Sequence, residues 1–515
     1  TLDETKEWLR SVDGCQAAKA SFCDEVREMK QFVDPSRFVR AHFENVYVMK
    51  QAAKRLTERG YACFEYDIDP VIGFYARRDL DIHAWIDVDP ALIRRFVSRG
   101  DLAEPESLVP VTDPPLDVSR VAYFDIEQHS VTRKFPEWEN PGNVVLMICT
   151  VVRTVSSEAP SHVYVHCIGS YTPDVQARLQ ARVARDYPDE SPKVAAVCCK
   201  SEIDLFIRWC AFLSDIKPDY MVGHNIFGYD LPHIFGRLRG SKDVKAPVQG
   251  GSGMQAKLYK IGKEPCRSEE SVKLRSSNSN TSANGYMECS FLDLEGVNLV
   301  DTQVFFRRYY AGEPEFGLNA LCRKYLGSGK DDFTVTKLFD AYEEKDAETL
   351  TQGLEYCYQD VNLLLKLDCK MNVIPQIRSY ANIFCVPMLF ILTRGQTIRV
   401  NSQVLRYSYA NREKIGHVAL NSAERSGEAD EIGYQGARVL DPKVGFYDEN
   451  PGTDIAVMQM TTNEPTANSK GLRLGSFDQI RGIIDEELEA VWAGDKAALA
   501  ALTSAVERGN ALLRR

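Results

Sequence analysis

Residues 119–129 read S-R-V-A-Y-F-D-I-E-Q-H. An apolar run, Val121 to Phe124, ends in two carboxylates one residue apart. Side chains alternate faces along a strand, so Asp125 and Glu127 point the same way while Phe124 and Ile126 pack behind them. Like charges that close are costly unless a proton or a cation intervenes. A ligand set made only of oxygens suits magnesium or manganese. An edge strand with exposed acids gives the same triplet, so D-I-E alone does not decide the chemistry.

Two further stretches bear on it. M-V-G-H-N-I-F-G-Y-D-L-P-H-I-F (221–235) is an apolar strand followed by Asn225, Tyr229 and Asp230 and then a helical pattern. L-E-Y-C-Y-Q-D-V-N-L-L-L-K-L (354–367) has helical periodicity, and Tyr356 and Asp360, four apart, share a face. Taken singly, Asp230 reads as a helix cap and Tyr356 as a core aromatic. Together, in this order, the stretches supply a carboxylate each.

The 515 residues suffice for about three domains. With 44% apolar and 26% charged residues the chain is globular, with room for real cores. No apolar stretch approaches the roughly 20 residues of a membrane helix, and the opening T-L-D-E-T-K-E-W has no basic-then-apolar secretion signal. The net charge of −11 excludes a general basic coat for nucleic acid. Such a partner would be met in a local cleft where metal ions supply positive charge. The 14 cysteines, with no C-x-x-C, read as reduced thiols of an intracellular protein.

R-F-V-R-A-H-F-E-N-V-Y-V-M-K-Q-A-A-K-R-L (37–56) reads as one long amphipathic helix, and a proline-rich link at 104–115 marks a boundary. V-A-Y-F-D-I-E, V-V-L-M-I-C-T-V-V-R-T and H-V-Y-V-H-C-I then predict three strands of one sheet. Alternating helical and strand patterns beyond them predict an α/β layer. Q-G-G-S-G and R-S-S-N-S-N-T-S-A-N-G (275–285) read as turn-rich interruptions.

F-D-I-E, N-I-F-G-Y-D and Y-C-Y-Q-D resemble the three exonuclease motifs of family B DNA polymerases, closest to the polymerase delta group and its relatives in large DNA viruses. L-N-A-L-C-R-K-Y-L-G, K-D-D (330–332), I-L-T-R-G-Q-T-I-R-V-N-S-Q-V-L-R (391–406) and Y-Q-G-A-R-V-L-D-P (434–442) extend the resemblance over about residues 35 to 447. It implies an α/β fold: an RNase H-like exonuclease domain with a mixed sheet and flanking helices at 116–378. Before it comes an α+β N-terminal domain at 1–115, and after it the start of a polymerase palm at 379–446. Asp125, Glu127, Asp230 and Asp360 match the family's four metal carboxylates, and Tyr356 its water- or phosphate-positioning tyrosine. The cofactors implied are two divalent ions, Mg2+ or Mn2+, clamping the scissile phosphate. Asn225 and Tyr229 would hold a frayed single-stranded 3′ end; Tyr229 stands where the family usually has Phe. Tyr434 and Gly436, followed by Ala437, match an element that contacts primer–template DNA. Arg394, Arg399 and Arg406 read equally as phosphate contacts or a solvated face. The implied activity is 3′–5′ proofreading hydrolysis in the nucleus or a virus-infected cell, with replication accessory factors as further partners and no membrane. An idle module that only grips single-stranded DNA is the alternative.

The family's palm motif, D-T-D and the fingers pattern K-x3-N-x2-Y-G are absent from the sequence, so no polymerising activity is expected. The stretch 447–515 is similar instead to the C-terminal end of periplasmic glycerol-3-phosphate-binding proteins, through G-F-Y-D-E-N-P-G-T-D, N-S-K-G-L-R-L-G and A-V-E-R-G-N-A-L-L-R-R. That likeness makes Arg473 a candidate for a ligand phosphate and the chain a chimera joined near 447, and, from the tail only, it adds a glycerol-3-phosphate-binding transport protein as a further alternative function. Locally the tail reads as helical. Ser476 and Gln479 form a capping box, Ile480, Ile483, Ile484, Leu488 and Val491 form one apolar stripe, and Leu499, Leu502, Val506 and Leu513 form a second.

Overall fold

The computed structural model describes residues 21–28, 36–240 and 272–414 apart from short interruptions, with pieces at 7–10 and 480–513. Tyr434, Gly436, Ala437, Arg473 and the Ser476–Gln479 capping box lie outside the described residues. Two compact units divide the chain, residues 1–420 and 421–515.

The first unit is organised by a six-stranded sheet. Its strands, in chain order, are β1 (Arg120–His129), β2 (Val144–Thr154), β3 (His162–Ile168), β4 (Lys193–Cys199), β5 (Tyr220–Gly223) and β6 (Asn298–Asp301). The spatial order is β4-β3-β2-β1-β5-β6. The β1–β2 and β2–β3 pairs are antiparallel, and the other three pairs are parallel. The expected mixed sheet with flanking helices is therefore the observed architecture, and β1 to β3 are the three predicted strands. A sheet covered on both faces explains why V-V-L-M-I-C-T-V-V reads as a near-continuous apolar run; Val145 to Val152 are buried throughout.

The principal helices around it are α1 (Val175–Asp186), α2 (Glu202–Ile216), α3 (Asp230–Arg239) and α4 (Ala347–Met371). Ser201 caps α2 by accepting from the Asp204 amide, and α2 buries Leu205, Phe206, Trp209 and Leu213 against the sheet. The indole of Trp209 donates to Thr150 Oγ1 on β2 at 3.0 Å, and both residues are buried. Asp346 starts α4 by accepting from the Glu348 and Thr349 amides, and Asn372 ends it in the left-handed conformation at φ 51°.

Two local readings change in three dimensions. Residues 37–56 are not one helix: Ser36–Arg40 is a strand, and the helix starts at Val46, where Asn45 accepts from the Val48 amide. An Asx cap competes with helix propagation through its own position. The serine- and asparagine-rich stretch is not a loop but a strand, Leu274–Thr281, paired with Gly285–Leu292. The apolar side chains that anchor the hairpin, Met287, Cys289 and Leu292, sit on the second strand. The first strand supplies backbone pairing, which its composition does not advertise.

A further helix, Gln396–Ala410, closes against the N-terminal residues. Arg406 reaches Asp79 Oδ1 at 2.6 Å and Asp81 Oδ1 at 2.8 Å, and the Tyr409 hydroxyl donates to Glu65 at 2.9 Å. Arg399 is buried and donates to the Ile391 carbonyl. Arg399 is therefore not a solvated cation, whereas Arg406 is partly exposed and paired with two carboxylates.

In the second unit the helix Ala498–Leu513 turns an unexpected face inward. Ala501, Ala505 and Gly509 are buried, whereas Leu499, Leu502 and Val506 are exposed. A Cβ on Gly509 would stand 3.4 Å from Ile480 Cγ2, so the small-residue stripe permits a close helix approach that leucines would block.

Replacing Thr150 by Val removes the acceptor of the Trp209 indole while nearly keeping its shape. A buried N–H without a partner costs about 1–3 kcal/mol. Urea unfolding followed by tryptophan fluorescence should show a loss of that size, and unchanged stability would refute the role given to this bond.

Candidate metal centre

β1 carries Asp125 and Glu127 to the middle of the sheet. The alternation expected from the sequence holds: Phe124 and Ile126 are buried behind them. The pairing with β2 shifts register between Glu127 and Gln128. A bulge at that point re-aims the strand end. Asp125, Glu127 and Asp360 each offer a carboxylate oxygen within 4.8 Å of the others. Asp360 comes from α4, whose Tyr356 lies one turn earlier.

Asp230 is the first residue of α3, and it lines the same cavity of about 200 Å³ as Asp125, Asp360, Asn225, Tyr229, Phe135 and Lys330. It is outside the three-oxygen cluster but in electrostatic contact with Asp125. The alternative reading of Asp230 as an ordinary helix cap does not hold, because Tyr229 occupies the cap position, no side-chain cap hydrogen bond forms, and the Asp230 side chain is buried. Asp230 Oδ1 and Asp360 Oδ1 are buried and have no hydrogen-bond partner among the described residues. Orphaned anionic oxygens facing other carboxylates fit a hard divalent cation.

The electrostatics agree. Burial pushes the carboxyls of Asp125, Glu127 and Asp230 up, and nearby acids raise Glu127 and Asp230 further. Burial pushes Asp360 up to about 7, against the opposing pull of the Lys330 ammonium. Lys330 Nζ lies 2.5 Å from Asp360 Oδ2 and 5.6 Å from the centre of the Tyr356 ring. It is the cation already present. Lys330 opens the K-D-D triplet, but its spacing from the acids along the chain carries no helical or strand signal, so nothing local assigns it this role.

The second motif is positioned by a residue that belongs to none of the three motifs. Asp301, fully buried at the end of β6, accepts from the amides of Asn225 (3.0 Å), Phe227 (2.9 Å), Gln303 (2.9 Å) and Val304 (3.2 Å). One carboxylate thus caps the helix Thr302–Tyr309 and pins the loop that presents Asn225, which adopts φ 68°. V-D-T before a helical pattern signals a cap, but the loop it also holds is distant in sequence. His224 has both ring nitrogens engaged, with Thr302 Oγ1 at 2.9 Å and the Phe316 carbonyl at 2.8 Å, and burial lowers it to about 4. Tyr229 packs against Phe135 with ring centres 4.4 Å apart, and its hydroxyl lies 3.0 Å from Gln128 Oε1 and 2.9 Å from the Pro136 carbonyl. Phe135 is exposed at the mouth of the cavity.

A mixed sheet with flanking helices, presenting acids from its central strand to a cleft, is the architecture of an RNase H-like exonuclease domain. The family description for the DNA polymerase family B exonuclease domain matches residues 61–299, and that for DNA polymerase family B matches residues 386–458. Residues 61–299 and 386–458 thus carry the likeness to DNA polymerase family B. The DNA polymerase of Paramecium bursaria Chlorella virus NY2A is 27% identical over 451 residues, covering 86% of this chain and 44% of that protein. The DNA polymerase delta catalytic subunit of Caenorhabditis elegans is 26% identical over 401 residues, covering 75% of this chain and 33% of that protein. The chain therefore spans less than half the length of these relatives. A separate likeness, 59% identical over 76 residues, is to the sn-glycerol-3-phosphate-binding periplasmic protein of Pectobacterium atrosepticum, and covers 15% of this chain and 17% of that protein. Two unrelated families in one chain fit the chimera. No helix among the described residues is long and apolar enough to cross a membrane.

Lys330→Ala should make the metal-free protein depend more on an added cation. In chelator its melting temperature should fall below wild type, and the rise on adding Mg2+ should exceed the wild-type rise. Equal rises in both proteins would show that Lys330 does not neutralise the carboxylates.

Proposed function

We propose that the chain is the 3′–5′ exonuclease portion of a family B DNA polymerase and hydrolyses phosphodiesters at single-stranded 3′ ends of DNA. The observation that carries this reading is the convergence of Asp125, Glu127 and Asp360 from a strand and a distant helix, with Asp230 lining the same cavity. Asp125, Glu127, Asp230 and Asp360 would hold two divalent ions, Mg2+ or Mn2+. Bound there, such ions supply a hydroxide at neutral pH and stabilise charge on the leaving oxygen.

The chain's own groups do the rest. Tyr356, on the same helical face as Asp360 and in electrostatic contact with Asp360 and Glu127, orients water or phosphate through its hydroxyl. Lys330 adds positive charge where a phosphate must approach four acids. Asn225 holds the strand end by hydrogen bonding, and the Tyr229–Phe135 pair offers an aromatic surface on which a terminal base stacks; such stacking contributes about 1–3 kcal/mol per base. Under this proposal residues 1–115, 116–378 and 379–446 are the N-terminal, exonuclease and initial palm domains. Tyr434 and Gly436 contact primer–template DNA, and the setting is the nucleus or a virus-infected cell. Residues 447–515, including Arg473, are a fragment without its partner lobes and bind no glycerol phosphate.

The test is release of nucleotides from 3′-labelled single-stranded DNA. Wild type should act only with Mg2+ or Mn2+. Asp125→Ala/Glu127→Ala should lose at least about a thousandfold, the rate equivalent of several kcal/mol of charge stabilisation, with unchanged circular dichroism. No primer extension should appear in either protein. A folded wild type that binds single-stranded DNA without cleaving it would favour the idle-module reading instead.

A further inference from the structure

Tyr123 lies on the same face of β1 as Asp125 and Glu127, two and four residues before them. It is fully buried, and its hydroxyl donates to Asp368 Oδ2. Arg153 on β2 donates to both partners, through Nε to the Tyr123 hydroxyl at 2.8 Å and through Nη2 to Asp368 Oδ2 at 2.7 Å. Its Nη1 is held by the carbonyls of Thr154, Val155 and Ser157 at 3.0–3.1 Å. Asp368 Oδ1 accepts from the Ile374 amide at 3.1 Å. The Arg153 and Asp368 side chains are 5% and 0% exposed. Asp368 belongs to α4, eight residues after Asp360.

A buried ion pair is a poor source of net stability, because desolvation cancels most of the attraction and apolar groups of similar volume do as well. What apolar packing lacks is direction. A helix resting on a greasy strand tolerates a small slide; one whose carboxylate takes two hydrogen bonds from fixed donors does not. Fixing register is the best-attested use of buried polar groups. Here the element so fixed is α4, and α4 carries Asp360 to within 4.8 Å of two acids on β1.

We propose that Tyr123, Arg153 and Asp368 are positioning residues that fix the axial register of α4 on β1 and so set the spacing of Asp360 from Asp125 and Glu127. The inference rests on the metal-site reading above. None of the three touches the cavity; they act through Asp360.

The test replaces the network by apolar groups, Tyr123→Phe/Arg153→Met/Asp368→Leu, and measures Mn2+ binding by calorimetry without DNA, alongside thermal unfolding. The expected result is a folded protein with a melting temperature close to wild type and Mn2+ affinity weakened at least about tenfold, the scale on which supporting residues tune metal sites. At saturating Mn2+ its exonuclease rate should recover most of the wild-type value. Wild-type Mn2+ affinity in the folded triple variant would overturn the inference. Should the triple variant not fold, Tyr123→Phe decides, since it keeps the ion pair: a measurable loss of Mn2+ affinity at unchanged stability supports the register role, and unchanged affinity overturns it. A wild-type chain that takes up no Mn2+ overturns the metal-site reading and this inference with it, a result separable from the variant outcomes because it needs no variant.

Discussion

Mutual repulsion among clustered acids, half-buried at Asp125 and Glu127 and buried at Asp230 and Asp360, is the constraint to which the rest of the first unit answers. Asp125 and Glu127 leave a central strand on one face, Asp360 meets them from a helix, and burial with crowding disfavours their charged forms. Such a cluster survives only if protons or cations relieve it. Lys330 relieves part of the charge at Asp360, while the buried free oxygens of Asp230 and Asp360 are left for a further cation. The folded chain therefore stores an electrostatic demand that a divalent ion would satisfy.

Meeting that demand requires rigid supports, because a site of this kind is defined by sub-ångström spacing. The support is layered. β1 is clamped between β2 and β5, and its core residues Val121 to Phe124 are inaccessible to solvent. Asp301 ties the loop after β5 to the start of the helix Thr302–Tyr309 with four backbone hydrogen bonds. The Tyr123–Arg153–Asp368 network ties α4 to the sheet. In the last two cases a buried polar group serves orientation rather than net stability.

The C-terminal unit follows a different logic. It overlaps the match to DNA polymerase family B, which runs to residue 458, past the junction near 447 expected from the sequence, while a separate likeness to a periplasmic glycerol-3-phosphate-binding protein covers 15% of the chain. G-F-Y-D-E at 445–449 suits both families, so the border is blurred where the two sequences happen to agree. Its helix buries Ala501, Ala505 and Gly509 and leaves its larger apolar residues exposed. Hydrophobicity alone points to the wrong face; the closeness of the neighbouring helix selects the small one.

Local pattern was enough to specify the α/β class, the three leading strands, the family, and the acids Asp125, Glu127, Asp230 and Asp360 as a group worth bringing together. Strand alternation and helical spacing act over a few residues, and they place Asp125 beside Glu127 and Tyr356 beside Asp360 whatever the rest of the chain does. Only the tertiary structure decided that Lys330 is the cation inside the cluster, that Asp301 holds the Asn225 loop, and that a serine-rich stretch is a strand. Those depend on contacts between residues far apart in sequence, where no periodicity survives and where the energy of burial, not local propensity, chooses the partner.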